Sequence, residues 1–351
     1  MYPKHSKPAT PPPATSRTVW TLAWSVALLF LLAALALCTG SVSLPLAEVT
    51  DALSGHASPD STAHFIVIES RLPQLCNALL TGSALALCGL VMQTLFSNPL
   101  ADPSLLGVNS GASLGAAVAL LACGGTWAVG TTTVGGTLLT IGAAFVGAMG
   151  VIGLLLLAST WLRSTLALLV TGVMISFGLS AVISLLSFYA TADGVRSYVV
   201  WGLGDFSGIT LQGIPLYALF ILVPVLGILT LSRPLNALLL GPDYAANLGI
   251  RVQRVRTWLL LLTGLLTATV TAICGPISFI GLAVPHMSRL LLRSANHRKL
   301  LPVTAILGAD LALLTLILSH LPGERGTIPL AAITPIMGVP MVLYIMLRRR
   351  G

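Results

Sequence analysis

Apolar runs of bilayer-spanning length, about 20 residues, recur along this chain with only short polar links between them. A soluble fold cannot hide so many such runs, because it lacks the polar surface to cover them. Only 8% of the 351 residues are charged, where soluble domains carry about 25%. In lipid a helix satisfies its own backbone hydrogen bonds. The chain is therefore expected to be an all-α polytopic membrane protein with ten transmembrane helices.

Residues 1–18 begin with Pro8, Pro11, Pro12 and Pro13 among Ser, Thr and Lys, and read as a disordered cytoplasmic tail. Residues 19–350 read as one ten-helix transmembrane domain, starting with a span at 19–39. Leu35-Ala36-Leu37-Cys38 resembles a lipoprotein cleavage site, but Leu37 is bulky and the run is long for a signal core. Residues 40–70 carry Glu48, Asp51, Asp60 and Glu69 without Lys or Arg and read as an outside loop. Arg71-Leu72-Pro73 opens the second span, which runs to Gln93. A short third span is rich in small residues, including Gly107, Gly111 and Gly115, which let helices approach closely. After a Gly/Thr turn at 124–136, further spans are expected at 137–159, up to Tyr189, 212–231, 257–275, 277–292, 301–320 and up to Arg348. Spans three and eight are too short to cross upright, so broken helices are expected there.

The net charge of +8 does not mark a nucleic-acid surface, since the basic residues sit in small groups between spans. With both termini cytoplasmic, Lys4, Lys7, Arg17, Arg163, Arg233, Arg251, Arg254, Arg256, Arg289, Arg293, Arg298, Lys299, Arg348, Arg349 and Arg350 lie inside. Arg71, Arg196 and Arg325 are the three of the 18 left outside, which fits the positive-inside bias. Leu79-Leu80-Thr81-Gly82 recurs as Leu261-Leu262-Thr263-Gly264, as an inverted repeat would produce. Five cysteines (Cys38, Cys76, Cys88, Cys123, Cys274) show no metal or redox spacing. No phosphate-binding Gly-x4-Gly-Lys-Ser/Thr loop occurs and no nucleophile–base set is visible, so ATP hydrolysis and other enzyme chemistry are not expected of this chain.

The longest polar connection of the second half, 232–256, reads as two short helices, with Pro242 as a first-turn residue and Gly249 as a C-cap. Its arginines Arg233, Arg251, Arg254 and Arg256 are expected to anchor its ends at the lipid surface. Asp310 is the one acid well inside a span; it reads either as a hydrogen-bonded packing group or as the coupling site of an ion-driven secondary transporter.

Three blocks carry a resemblance: Arg71-Leu72-Pro73 with Ser97-Asn98-Pro99-Leu100-Ala101-Asp102-Pro103 and the following Ser104 to Ala112; Leu240-Gly241 with Asn247-Leu248-Gly249-Ile250; and Gly275-Pro276-Ile277 through Pro285-His286 to Arg289-Leu290. They resemble the FecCD- and BtuC-like membrane subunits of ABC importers for iron-siderophores, haem and vitamin B12. The resemblance implies a permease of the bacterial inner membrane that imports an iron-siderophore, or cobalamin or haem, by ATP-driven alternating access. It implies a second permease subunit (a copy or a paralogue), two ATPase subunits that carry the ATP, and an outside substrate-binding protein. This chain itself would bind no cofactor or metal. The ATPase surface would be Gly241, Pro242, Asp243, Tyr244, Ala245, Ala246, Asn247, Leu248 and Gly249. Ser164 and Thr165 match the cytoplasmic gate, with helix N-capping as the alternative role. Arg71, His320 and Arg325 would meet the binding protein, while Gln74 stands where a second basic residue is usual. Asn98, Pro99, Gly107, Gly111, Pro285, His286 and Arg289 belong to the family signature without an assigned role.

Overall fold

The computed structural model describes residues 14–40, 42, 44–58, 60–122, 126–129, 132–162, 164–323 and 326–348. Ten apolar helices carry the described fold: α1 (Ala14–Cys38), α2 (Leu72–Leu95), α3 (Val108–Ala117), α4 (Thr137–Trp161), α5 (Thr165–Tyr189), α6 (Ile214–Thr230), α7 (Val252–Cys274), α8 (Ile280–Leu292), α9 (His297–Ser319) and α10 (Leu330–Arg348). Seven of the described helices are long and apolar enough to cross a membrane, and α3, α8 and α10 supply shorter apolar stretches. The tail expected at 1–18 ends sooner, since α1 is already helical from Ala14.

The second helix sits at the centre. Every residue from Ala84 to Leu95 is buried, as a helix that is apolar all round must be. It touches α1, α6, α7, α8 and α9. Close crossings set these contacts. A Cβ on Gly82 would stand 2.2 Å from the Gly308 carbonyl oxygen, and one on Gly89 would stand 1.7 Å from that of Gly281. On the other side, Gly111 of α3 meets the Gly147 carbonyl of α4 in the same way, at 2.6 Å.

The two halves pack in corresponding pairs. The central α2 lies on α8 and α9, and α7 lies on α3 and α4. Likewise α3 packs on α4 and α5, as α8 packs on α9 and α10. The repeated tetrapeptides occupy matching places: Gly82 lies at the α2–α9 crossing, and Gly264 lies at the α7–α4 crossing against Ile152.

Two parts of the sequence reading change. Residues 40–70 are more than a loop: they hold a helix at Leu46–Ser54, and from Thr62 the chain already winds toward α2. That approach includes a π-helical stretch, Phe65–Arg71. The Gly/Thr turn contains a β-hairpin, Thr126–Val129 paired antiparallel with Thr132–Gly135, so the fold is not wholly α. Thr126, Trp127, Val129, Thr132, Thr133 and Val134 are β-formers. The expected break before α8 is present, with Gly275 at φ +72° and extended chain to Phe279 at φ +67°.

Candidate functional site

Between α6 and α7 the chain folds into the helices Ser232–Leu238 and Pro242–Asn247. Gly241 separates them at φ +104°, a conformation strained for any side chain. Pro242 fills the first turn, where its missing N–H is no loss. At the other end the Ile250 N–H donates to the Ala245 carbonyl (3.1 Å) and the Gly249 N–H to that of Ala246 (2.9 Å). With Gly249 at φ +80° this is a Schellman cap.

The two faces of the second helix differ. Pro242, Asp243, Tyr244, Ala246, Asn247, Leu248 and Gly249 are exposed, and Ala245 is fully buried. Ala245 is therefore not part of an outward surface, contrary to the sequence reading. It is the buried position of that helix, facing the rest of the chain. Leu240, Tyr244 and Leu248 leave 65%, 50% and 59% of their area exposed, an apolar patch outside the spans.

The first helix is held from below. Asn236 Oδ1 accepts from the His297 backbone N–H (2.8 Å) and lies 3.0 Å from His297 Nδ1. The other ring nitrogen of His297 meets Thr94 Oγ1 at 2.8 Å. Asn236 Nδ2 also donates to Asn296 Oδ1 at 3.0 Å. This polar chain ties the helix to the start of α9 and the end of α2.

The first turns of α7 reach the other way. Gln253 Nε2 donates to the Ser159 carbonyl of α4 at 2.7 Å, and Arg256 Nη2 donates to the Ser164 carbonyl at 3.4 Å. Arg256 is 3% exposed. It is thus no surface anchor, unlike Arg233, Arg251 and Arg254, which are exposed. Ser164 Oγ accepts from the Ala167 N–H (3.4 Å) and caps α5; Thr165 is the first residue of that helix.

The signature residues take structural positions. Arg289 Nη1 donates to Gln93 Oε1, Gln93 Nε2 donates to the Leu282 carbonyl (3.3 Å), and His286 Nδ1 donates to the same carbonyl (2.8 Å). This set locks α8 to the end of α2. Pro285 lies within α8. Asn98 Oδ1 accepts from the Leu100 N–H at 2.9 Å, across the exposed Pro99. Gly107 starts α3 at φ +78°, and Gly111 makes the α4 crossing. Gln93, Asn236 and Gln253 were not singled out by the sequence reading, because an uncharged polar residue near a helix end has no distinctive pattern.

The expected outside contacts come apart. Arg71 is 6% exposed, and its guanidinium donates to the carbonyls of Leu37 (2.6 Å), Cys38 (3.1 Å) and Val42. It caps the end of α1 rather than facing a partner, because those carbonyls have no helical N–H to accept from. His320 is half-buried and donates from Nδ1 to the Leu316 carbonyl of its own helix (2.9 Å). Arg325 lies outside the described residues. Asp310 is 4% exposed, and neither carboxylate oxygen has a hydrogen-bond partner among the described residues. The hydrogen-bonded packing role is therefore not met there. Among the described residues no three His, Cys, Asp or Glu side chains gather as a metal site.

Apolar helices packed around one buried helix, with an exposed helix pair between two corresponding halves, define a polytopic membrane protein. The model of the FecCD transport family matches residues 28–348, and the chain belongs to that family. It is 34% identical over 321 residues to the vitamin B12 import system permease protein BtuC of Klebsiella pneumoniae subsp. pneumoniae, covering 90% of each chain. The BtuC of Shigella boydii serotype 18 is 34% identical over 336 residues, covering 94% of this chain and 95% of that one. Among solved structures, an inward-facing metal-chelate type ABC transporter superposes with a TM-score of 0.81 at 29% identity, covering 93% of this chain and 98% of that one.

Proposed function

We propose that this chain is the membrane subunit of a bacterial inner-membrane ABC importer that moves a bulky metal chelate inward by alternating access. The observation that carries the proposal is the helix pair at 232–249. It presents Leu240, Tyr244 and Leu248 outward, yet is tied by buried polar bonds to α2 and α9 and leads directly into α7. A surface of this kind suits a separate ATPase. Two ATPase subunits dock there, one on each of two permeases, with both termini on the same cytoplasmic side. The second permease packs where α5 is bare, since only 11% of that span is buried within the chain. An outside binding protein delivers substrate. Arg71 is withdrawn from that interface; His320 and Arg325 stay in it. Ser164 and Thr165 form the inner gate.

The relatives' vitamin B12 function makes cobalamin the first substrate to test, with iron-siderophores and haem following. Proteoliposomes holding the permease, its ATPase and its binding protein should accumulate cobalamin or an iron-siderophore only with ATP. Uptake driven by a proton gradient without the ATPase would support Asp310 as an ion-coupling site instead.

A further inference from the structure

The polar stretch has one half tied to α2 and α9 and one half that leads into α7. Ser232–Leu238 is fastened through Asn236 to His297 and Thr94, at the ends of two buried helices. Pro242–Asn247 packs on the first helix through the buried Ala245, makes no side-chain hydrogen bond to α2 or α9 among the described residues, and leads through the Gly249 cap into the first turns of α7. Gly241 stands between the halves at φ +104°, with no atom within 4 Å of where a Cβ would be.

The half that leads into α7 continues to a defined contact. Gln253 and Arg256 lie three residues apart on α7, so they share one face. Their donors end on two main-chain carbonyls, Ser159 at the close of α4 and Ser164 at the start of α5. These two carbonyls bracket the α4–α5 turn from both sides. A main-chain acceptor moves the backbone itself, and Ser164 caps α5, so a shift of α7 is imposed on the first turn of that helix.

We infer that Gln253 and Arg256 are the positioning residues that carry motion of the Pro242–Asn247 helix to Ser159 and Ser164, at the end of α4 and the start of α5. The inference rests on the permease reading above. It does not require either residue to touch substrate or ATPase. Lysine keeps a cationic donor at this position, so Arg256→Lys is the conservative variant.

The test uses the complete transporter in proteoliposomes, reading ATP hydrolysed and cobalamin or iron-siderophore accumulated in the same preparation. If the unaltered transporter shows no ATP-dependent uptake, the permease reading itself fails and the variants are not needed. Given uptake, Arg256→Gln and Gln253→Ala are each expected to keep ATP hydrolysis within about twofold and to lower transport at least severalfold. The double variant should lower it by tenfold or more, with the ATP spent per substrate rising accordingly. Arg256→Lys should restore most of the coupling. A structural role alone would lower hydrolysis and transport together, in proportion to folded protein, and Lys would not separate them. That result, or unchanged transport in the double variant, would overturn the inference.

Discussion

Arg71 shows most clearly what a sequence hides at the scale of one residue. An arginine at the mouth of a span reads as a surface charge, but its acceptors are the carbonyls of Leu37, Cys38 and Val42, far away in sequence. Main-chain acceptors leave no signature in residue type, so this site was not legible. Hydrogen bonds to a charged group are worth about 1.5–3 kcal/mol. Arg71→Ala should therefore lower the melting temperature of the detergent-solubilised protein, while substitution of His320 leaves it unchanged; equal melting of both variants would return Arg71 to the docking surface. Glycines give a sharper contrast. At Gly89 a Cβ would overlap the Gly281 backbone, whereas at Gly150 it meets open space. Backbone cannot yield as a flexible side chain can, so Gly89→Ala should fail to accumulate as folded protein. Gly150→Ala should accumulate normally, with the better helix propensity of alanine. Size-exclusion profiles of the two variants distinguish these outcomes.

At the scale of elements, ends marked by Pro and Gly were legible and changes of helical winding were not. Pro242 and Gly249 bound their helix as their backbone preferences require. The Gly275 break before α8 was visible for the same reason. The π-helical stretch at Phe65–Arg71 was invisible, because a shift of hydrogen-bond register by one residue changes no side-chain pattern. The hairpin at 126–135 was missed because glycine and threonine also mark turns. Burial around the exposed helix pair separates neighbouring alanines. Ala246→Trp adds bulk to the outward face and should uncouple ATP hydrolysis from uptake in an otherwise folded transporter. Ala245→Trp forces bulk into a fully buried position, where overpacking costs about 1–3 kcal/mol, and should lower thermal stability. Identical behaviour of the two variants in transport and melting would contradict the assignment of faces.

For the whole molecule, hydropathy alone named the class, because apolar runs of this length have no other use. The internal correspondence was traceable to two tetrapeptides, which the packing places at matching crossings, α2 on α9 and α7 on α4. The substrate was not legible, since among the described residues no cluster of metal-ligating side chains distinguishes one chelate from another. In the proposed function, an outside binding protein selects the substrate and this chain opens and closes. Its motor must then come from elsewhere, and that dependence is the central claim. The direct measurement is cobalamin or iron-siderophore uptake into proteoliposomes with the ATPase and binding protein present, each omitted in turn, with and without ATP. Uptake that vanishes on omission of ATP or of the ATPase is the predicted result. Uptake that persists without the ATPase and follows a proton gradient would contradict it.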